Sequence, residues 1–241
     1  MKKQLVALSV LLFIICSCDE DNAISPIPQY VDLGLSVKWA TYNVGASQPQ
    51  EYGDYYAWGE TVTKNHYYWS TYQYNIGEYD EEKLSSLTKY CPKSSFGYEG
   101  YTDTLSVLEL SDDIAHIKWG KNWRIPTADE FQELLDNCTW KWTKLNGVKG
   151  FKVTSKIEGH TDKSIFLPAT GYKTGVKLFN SCPTVNYWTS SLWTRLPYNS
   201  LDITFQYDED NKTNDDIYDD NVIYIGYSGR YVGRPIRPVW Q

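Results

Sequence analysis

The chain has 241 residues, of which 41% are hydrophobic and 16% aromatic, and its formal net charge is −7. This length supplies enough apolar side chains for the core of one domain. An acidic chain without a basic cluster is repelled by phosphate backbones, so the composition argues against nucleic acid as a partner.

The N-terminus has the layout of a lipoprotein signal peptide over residues 1–17. Two lysines at positions 2 and 3 precede an apolar run of 11 residues, 5–15. Such a run is too short for the roughly 20 residues that a transmembrane helix needs, and it is typical of a signal peptide. It ends in Ile-Cys-Ser-Cys, which resembles the lipobox of bacterial lipoproteins. We expect Cys18 to carry the lipid, because a small residue precedes it, whereas a bulky one precedes Cys16. The alternative is an ordinary secretory signal with incidental cysteines.

The residues after Cys18 indicate a tether and a cellular location. Three acidic residues at 19–21 resemble the signal that sends lipoproteins of the Bacteroides group to the outer face of the outer membrane. The rest of 18–29 is polar and contains two prolines, which suits a flexible tether. The sequence therefore predicts a surface-exposed outer-membrane lipoprotein, held to the membrane by its lipid anchor, with one domain at 30–241.

Cysteine and histidine usage argues against a disulfide scaffold and a zinc site. The cysteines other than Cys16 and Cys18 are Cys91, Cys138 and Cys182. Three cysteines allow at most one disulfide bond. The chain has no Cys-x-x-Cys motif and its three histidines are scattered, so a structural zinc site is not expected. We predict neither a cofactor nor a metal, although calcium binding by the acidic residues of 208–220 stays open.

Strand-like segments outnumber helical ones along the chain. Short alternating or apolar runs flanked by turn residues occur at 37–45, 150–157, 164–172, 186–193, 201–207, 221–229 and 234–240. Such runs are typical of strands. Helical patterns occur at 80–90, from Ser111 onward, and after Thr127. The pattern predicts an α+β domain with two or three short helices on an antiparallel, loop-rich sheet.

Residues 123–135, WRIPTADEFQELL, predict the end of a strand that leads into a capped helix. Thr127 is a favourable N-cap, and Glu130 three residues later completes a capping box. Apolar residues then recur at helical spacing and form one face for the core: Ala128, Phe131, Leu134 and Leu135. Pro126 keeps the preceding residue extended.

Six blocks of the sequence, taken in order, resemble a family of known proteins. The blocks are 31–60, 87–91, 108–143, 147–157, 164–175 and 187–191. Together they resemble Bacteroides lipoproteins that carry the major paralogous domain first named from Fibrobacter succinogenes. The block WRIPTADEF also resembles a signature of formylglycine-generating enzymes, and both groups are similar to the C-type lectin fold.

The resemblance implies a C-type-lectin-like domain: a twisted antiparallel sheet with short helices, adjacent N- and C-termini, and a long irregular half that binds ligands. Trp123 would then fill the core, and Arg124 would bond loop carbonyls or a carboxylate in a structural role. The catalytic and calcium motifs of related proteins are absent. Formylglycine-generating enzymes use a late cysteine pair, and nothing after Cys182 could be its partner. Calcium-dependent lectins carry Glu-Pro-Asn or Gln-Pro-Asp, but residues 48–50 are Gln-Pro-Gln.

No other pattern indicates catalysis. Ser190 and Ser191 do not lie in a Gly-x-Ser-x-Gly elbow. His116 beside Asp113 suggests a surface or capping histidine. The acidic run 208–220 fails the EF-hand pattern, because a lysine occupies an alternate ligand position, and it is typical of a solvated loop. A pair of carboxylates suited to glycoside hydrolysis stays open, since a separation in space is not visible in sequence.

The segment 187–231 mixes aromatic residues with Asn, Asp, Ser and Thr. Such a mixture suits an adaptable contact surface, although alternate aromatics of a strand must face the core, so we expect about half to be buried. We predict that Trp193, Arg195, Tyr198 and Tyr218 contact a ligand. The predicted function is non-catalytic binding of an extracellular glycan or protein. The alternatives are a structural or assembly component of the cell envelope or fimbriae, and an enzyme of unrecognised type.

Overall fold

A computed structural model describes residues 29–77, 85–180, 184–206 and 223–241, which form mostly β-sheet with two α-helices. The strands are β1 Tyr30–Val31, β2 Lys38–Ala40, β3 Trp123–Arg124, β4 Cys138–Leu145, β5 Val148–Ser155, β6 Ser164–Pro168, β7 Tyr172–Thr174, β8 Lys177–Phe179, β9 Thr184–Leu192, β10 Asn199–Gln206, β11 Ile223–Gly229 and β12 Val239–Trp240. The helices are α1 Ile114–Trp119 and α2 Ala128–Asn137.

Several sequence predictions fall on residues outside those ranges. They concern the signal peptide, the tether, Cys18, Cys182, Tyr218 and the acidic run 208–220. Neither helix in the described ranges is long and apolar enough to cross a membrane.

The first and last described segments of the chain meet in one sheet with strand order β1-β2-β12-β3. Val239 of β12 pairs with Trp39 on one side and Arg124 on the other. The rings of Tyr30 and Trp240 stack with their centroids 5.0 Å apart. The two ends of the domain are therefore adjacent.

Two further three-stranded antiparallel sheets, β11-β10-β9 and β4-β5-β6, enclose one of the two main cores with α2. From α2, Phe131 and Leu134 are fully buried. Phe131 meets Trp39 edge to face at 4.9 Å, and Phe151 of β5 meets Phe205 of β10 in the same way at 4.4 Å. The short hairpin β7–β8 stands apart from these sheets. β9 is buried throughout 185–190, whereas β11 has exposed side chains at Tyr224 and Tyr227.

Each of the seven predicted strand segments contains an observed strand. The strands β1 and β8 lie outside those segments, and so does the longer β4. It begins at Cys138, the C-cap residue of α2, so no glycine or proline separates the helix from the strand. The helix predicted from Ser111 is confirmed as α1. The helix predicted at 80–90 is wrong over 85–90, where Leu87 instead bridges to Asn75 and Gly97.

The capping box of α2 is confirmed. The Glu130 amide donates to Thr127 Oγ1 at 3.2 Å, and the Thr127 amide donates to Glu130 Oε2 at 2.8 Å. Arg124 adds a bidentate pair to the same carboxylate, at 2.8 and 2.5 Å. Burial opposes ionisation of Glu130, but Arg124 and Thr127 outweigh it and hold the pKa of the carboxyl below its usual range. Arg124 thus has the predicted structural contact, and Trp123 is buried as predicted.

The C-terminal segment 229–241 carries three buried arginines, Arg230, Arg234 and Arg237. Arg237 donates to the carbonyls of Ala40 and Phe166, at 3.1 and 3.0 Å, and to Asn43 Oδ1 at 2.8 Å. One guanidinium therefore links the N-terminal strand region, the sheet β4–β6 and the C-terminus.

Replacing Arg237 with alanine or lysine tests this link. Alanine leaves three buried acceptors without their donor, and we expect a loss of about 3 kcal/mol or more in the free energy of unfolding. Lysine should rescue little, because a compact ammonium cannot reproduce the planar fork of donors. Urea unfolding measures both variants, with the exposed Arg195→Ala as control. An Arg237→Lys variant as stable as the parent would contradict this role.

Candidate functional site

A groove of about 860 Å³ lies between the outward face of β9–β11 and the β7–β8 hairpin. Its volume falls within the roughly 300–1,000 Å³ typical of small-molecule sites. The described residues that line it are Tyr172, Phe179, Thr184, Asn186, Thr204, Tyr224, Gly226, Tyr227, Ser228, Gly229, Val232 and Arg234. The hairpin contributes the first two, and the segment after β11 contributes the last two.

The floor of the groove is polar because of the register of the three strands. Thr204 pairs with Asn186 on one side and with Tyr224 on the other. These residues share one face of the sheet, whereas their neighbours in sequence, such as Tyr187 and Ile203, are fully buried on the opposite face. The two-residue period of the strands thus separates the face that packs in this core from the face that lines the groove.

Arg234 lies across this floor and organises it. Its guanidinium donates to Asn186 Oδ1 at 2.5 Å and to Ser228 Oγ at 2.6 Å. It also forms an ion pair with Asp202 at 3.3 Å, and the two side chains are only 6% and 1% exposed. Thr204 donates its hydroxyl to Asp202 Oδ1 at 2.6 Å. Burial lowers the pKa of Arg234, and Asp202 opposes that shift.

Among the described residues that line the groove, three carry a polar atom that is buried without a hydrogen-bond partner: Asn186 Nδ2, Thr184 Oγ1 and Arg234 Nε. A buried polar group left unpaired costs about 1–3 kcal/mol. Folded proteins keep such groups where a water, ion or ligand completes them. Because the residues that carry these atoms line the groove, the unpaired atoms favour a polar occupant.

Aromatic rings form the walls of the groove. Tyr172 and Phe179 stack nearly parallel, with centroids 5.4 Å apart and an interplanar angle of 10°. Tyr224 and Tyr227 of β11 are 52% and 56% exposed. Tyr227 in turn stacks on Trp193 at 3.6 Å. The groove therefore combines flat apolar surfaces with hydrogen-bonding groups.

Gly226 keeps the floor open between Asp202 and Tyr224. A Cβ at this position would come within 3.2 Å of Asp202 Oδ1 and of the Tyr224 ring. Those distances are tighter than ordinary van der Waals contact, so any larger residue would press on both groups. A glycine here preserves the depth of the groove.

The three described residues among the four predicted to contact a ligand differ in their exposure and in their position relative to the groove. Trp193 is half-buried and does not line the groove, but its ring stacks on Tyr227, which does. Arg195 is exposed but does not line the groove, and its carbonyl accepts from Lys93 Nζ at 2.9 Å. Tyr198 is only 8% exposed, so its placement at the surface is wrong. Tyr218 lies outside the described ranges.

The packing of Tyr198 explains why it is buried and not exposed. It belongs to a small buried cluster with Leu87 and Cys91. The rings of Trp69 and Phe96 meet it edge to face at 5.4 and 5.3 Å. The polar residues around Tyr198 in sequence gave no sign of this burial.

Among the described aromatics of 187–231, the expected mixture of core and surface is observed. Tyr187, Trp188 and Phe205 are buried, whereas Tyr224 and Tyr227 are exposed. Neither the role of Arg234 nor the ring pair of Tyr172 and Phe179 in the hairpin was predicted from the sequence. The sequence does contain an indication of the role of Arg234, because an arginine within an apolar segment needs buried partners for its charge.

The described residues show no activated nucleophile. Burial raises the pKa of Cys138 to about 11 and raises that of Cys91. Ser190 is buried and donates its hydroxyl to the carbonyl of Pro126 at 3.3 Å. Across the ranges given above, no group of three or more histidine, cysteine, aspartate or glutamate side chains is placed to hold a metal ion.

No protein-family model, curated protein or solved structure matches this chain. The groove and the N-terminal sequence are therefore the observations from which a function can be inferred. The groove offers stacking surfaces and hydrogen bonds, which are the means of non-covalent binding.

Alanine variants of Tyr198 and Arg195 test together whether Tyr198 is buried and Arg195 is exposed. Tyr198→Ala should lower the free energy of unfolding by about 3 kcal/mol, because it removes a packed ring from the core. Arg195→Ala should change it by less than about 0.5 kcal/mol, as expected of an exposed site. Thermal and urea unfolding measure both. Equal stability of the two variants would contradict the burial of Tyr198.

Proposed function

We propose that this protein is a cell-surface lipoprotein whose single domain binds an extracellular glycan or protein without catalysis. The observation that carries the proposal is the groove on the outward face of β9–β11. It joins exposed tyrosines to a buried polar floor that Arg234 holds in place. Convergent polar groups beside aromatic surfaces are the usual composition of a ligand site.

The lipid anchor is part of the same proposal. Residues 15–18, Ile-Cys-Ser-Cys, follow an apolar run of signal-peptide length, and Cys18 takes the lipid after cleavage. Residues 18–29 then act as a tether that holds the domain at 30–241 away from the outer membrane. The acidic residues at 19–21 favour the outer face of that membrane.

The domain has a C-type-lectin-like fold and belongs with the major paralogous domain proteins of Bacteroides lipoproteins. Three structural features support this part of the proposal. The two ends of the domain pair in one sheet, a capped helix follows Trp123-Arg124, and the polar–aromatic groove lies in the C-terminal half of the chain.

Metabolic labelling tests the anchor. In a bacterial host with lipoprotein processing, the parent chain should incorporate labelled palmitate, and Cys18→Ala should abolish the label because the acceptor thiol is gone. Cys16→Ala is the matched control and should retain it. Labelling that depends on Cys16, or no labelling of the parent, would contradict the proposed anchor.

Binding by the groove can be tested with Tyr224→Ala. The full chain in detergent is screened against extracellular glycans and surface proteins, and the affinity for each captured ligand is then measured by calorimetry. The variant should weaken binding by more than about 1 kcal/mol if Tyr224 is a contact residue, with an unchanged melting temperature. Tyr98→Ala, which removes an exposed ring elsewhere, should bind like the parent. Screens in which no glycan or protein binds, or equal loss in both variants, would contradict the proposal.

A further inference from the structure

We propose that the occupant of the groove is an uncharged carbohydrate, an inference that rests on the ligand-binding function proposed above. Three properties of the groove support it: its internal charge balance, its alternation of rings with neutral polar groups, and the kind of sheet surface that forms its floor.

The charges of the floor already compensate each other. Arg234 is the only charged residue among those that line the groove in the described ranges, and its guanidinium is engaged by Asp202, Asn186 and Ser228. A carboxylate or phosphate entering the groove could accept a hydrogen bond from Arg234 Nε, which has no partner. It would lose its hydration without finding a net positive charge, because Asp202 already neutralises the guanidinium. An ammonium would meet the same difficulty, because Asp202 already pairs with Arg234. Burying an uncompensated charge is costly, so the groove selects against ionic ligands.

Neutral sugars match the remaining surface. Each pyranose ring has apolar C–H faces that can stack on the exposed rings of Tyr224 and Tyr227, and hydroxyls that both donate and accept. The groove offers neutral side-chain groups for those hydroxyls, including Thr184, whose Oγ1 is unpaired, and Asn186, whose Nδ2 is unpaired. Since hydroxyls can act as donor or acceptor, they can satisfy an amide and a threonine at once.

The floor is less suited to an extended peptide. A peptide that adds to a sheet uses the unpaired backbone groups of an edge strand. The groove instead lies over the face of β9–β11, where β10 is paired on both sides. Its described lining has one aliphatic side chain, Val232, and its other apolar surfaces are the faces of aromatic rings, which suit the flat C–H faces of a sugar.

The test uses the full chain in detergent and calorimetric titration with chemically defined oligosaccharides. The probes are neutral oligomers of glucose, mannose, galactose and xylose, uronic acid oligomers of matched length, and a library of extended peptides. We expect at least one neutral oligomer to bind, and its uronate counterpart to bind at least about tenfold more weakly, which corresponds to 1.4 kcal/mol.

Gly226→Val is the principal variant, because the side chain of the introduced valine would fill the floor of the groove next to Asp202 and Tyr224. It should weaken binding of the neutral oligomer about tenfold or more. Should Gly226→Val fail to fold, Tyr227→Ala decides, since it removes an exposed ring. Tyr98→Ala serves as control, and melting temperature is measured for every variant.

The outcomes separate this inference from the proposed function. Groove-dependent binding of a uronate or a peptide, in preference to every neutral oligomer, overturns the carbohydrate assignment and leaves ligand binding in place. Failure of all neutral oligomers to bind at millimolar concentration also overturns it, as does neutral binding that Gly226→Val and Tyr227→Ala leave unchanged. If no glycan, peptide or surface protein binds at all, the proposed function itself fails.

Discussion

The position of the C-terminal segment is set by arginines that bond to backbone carbonyls rather than to surface acids. Arg237 reaches Ala40 and Phe166, which are 197 and 71 residues away in sequence. Arg230 does the same elsewhere, donating to the carbonyls of Lys89 and Pro197 with its guanidinium 5.0 Å from the Trp58 ring. Loop-rich domains have many backbone groups that no ladder satisfies, and a buried guanidinium satisfies several at once.

The same segment joins the fold to the groove. Between these two arginines, the backbone of Arg234 exchanges hydrogen bonds with Tyr56, while its side chain turns to Asn186 and Asp202. The neighbouring Gly233 bridges to Lys173 in the hairpin that carries Tyr172. The floor and one wall of the groove are therefore fixed by residues that also hold the domain together. A site on such rigid supports is pre-organised, which lowers the entropic cost of binding.

Patterns within short stretches of sequence predicted the capping box and several strands. Features that depend on contacts between residues distant in sequence were not predicted. The capping box of α2 was visible because Thr127 and Glu130 are three residues apart. The strand β9 was visible as a short run of aromatic and polar residues between turn signals, and β10 was visible because alternation in 201–207 reflects burial on one face. The role of Arg234 depends on Asn186, 48 residues away, and a single sequence carries no record of that contact. The burial of Tyr198 was not predicted for the same reason: its polar neighbours in sequence are not its neighbours in space.

The aromatic richness of the chain is chiefly a means of building a core from loops. Tyr55, Tyr67 and Tyr72 are buried, and their hydroxyls donate to the carbonyls of Thr170, Tyr55 and Trp58 at 2.6–2.8 Å. Each ring thus fills space while its hydroxyl satisfies a loop carbonyl. Such tyrosines are explained by the fold. Tyr224 and Tyr227 differ because they expose more than half of their surface beside a polar floor. Burial in the core does not account for these two rings, and they are the contact surface that the proposed ligand would use.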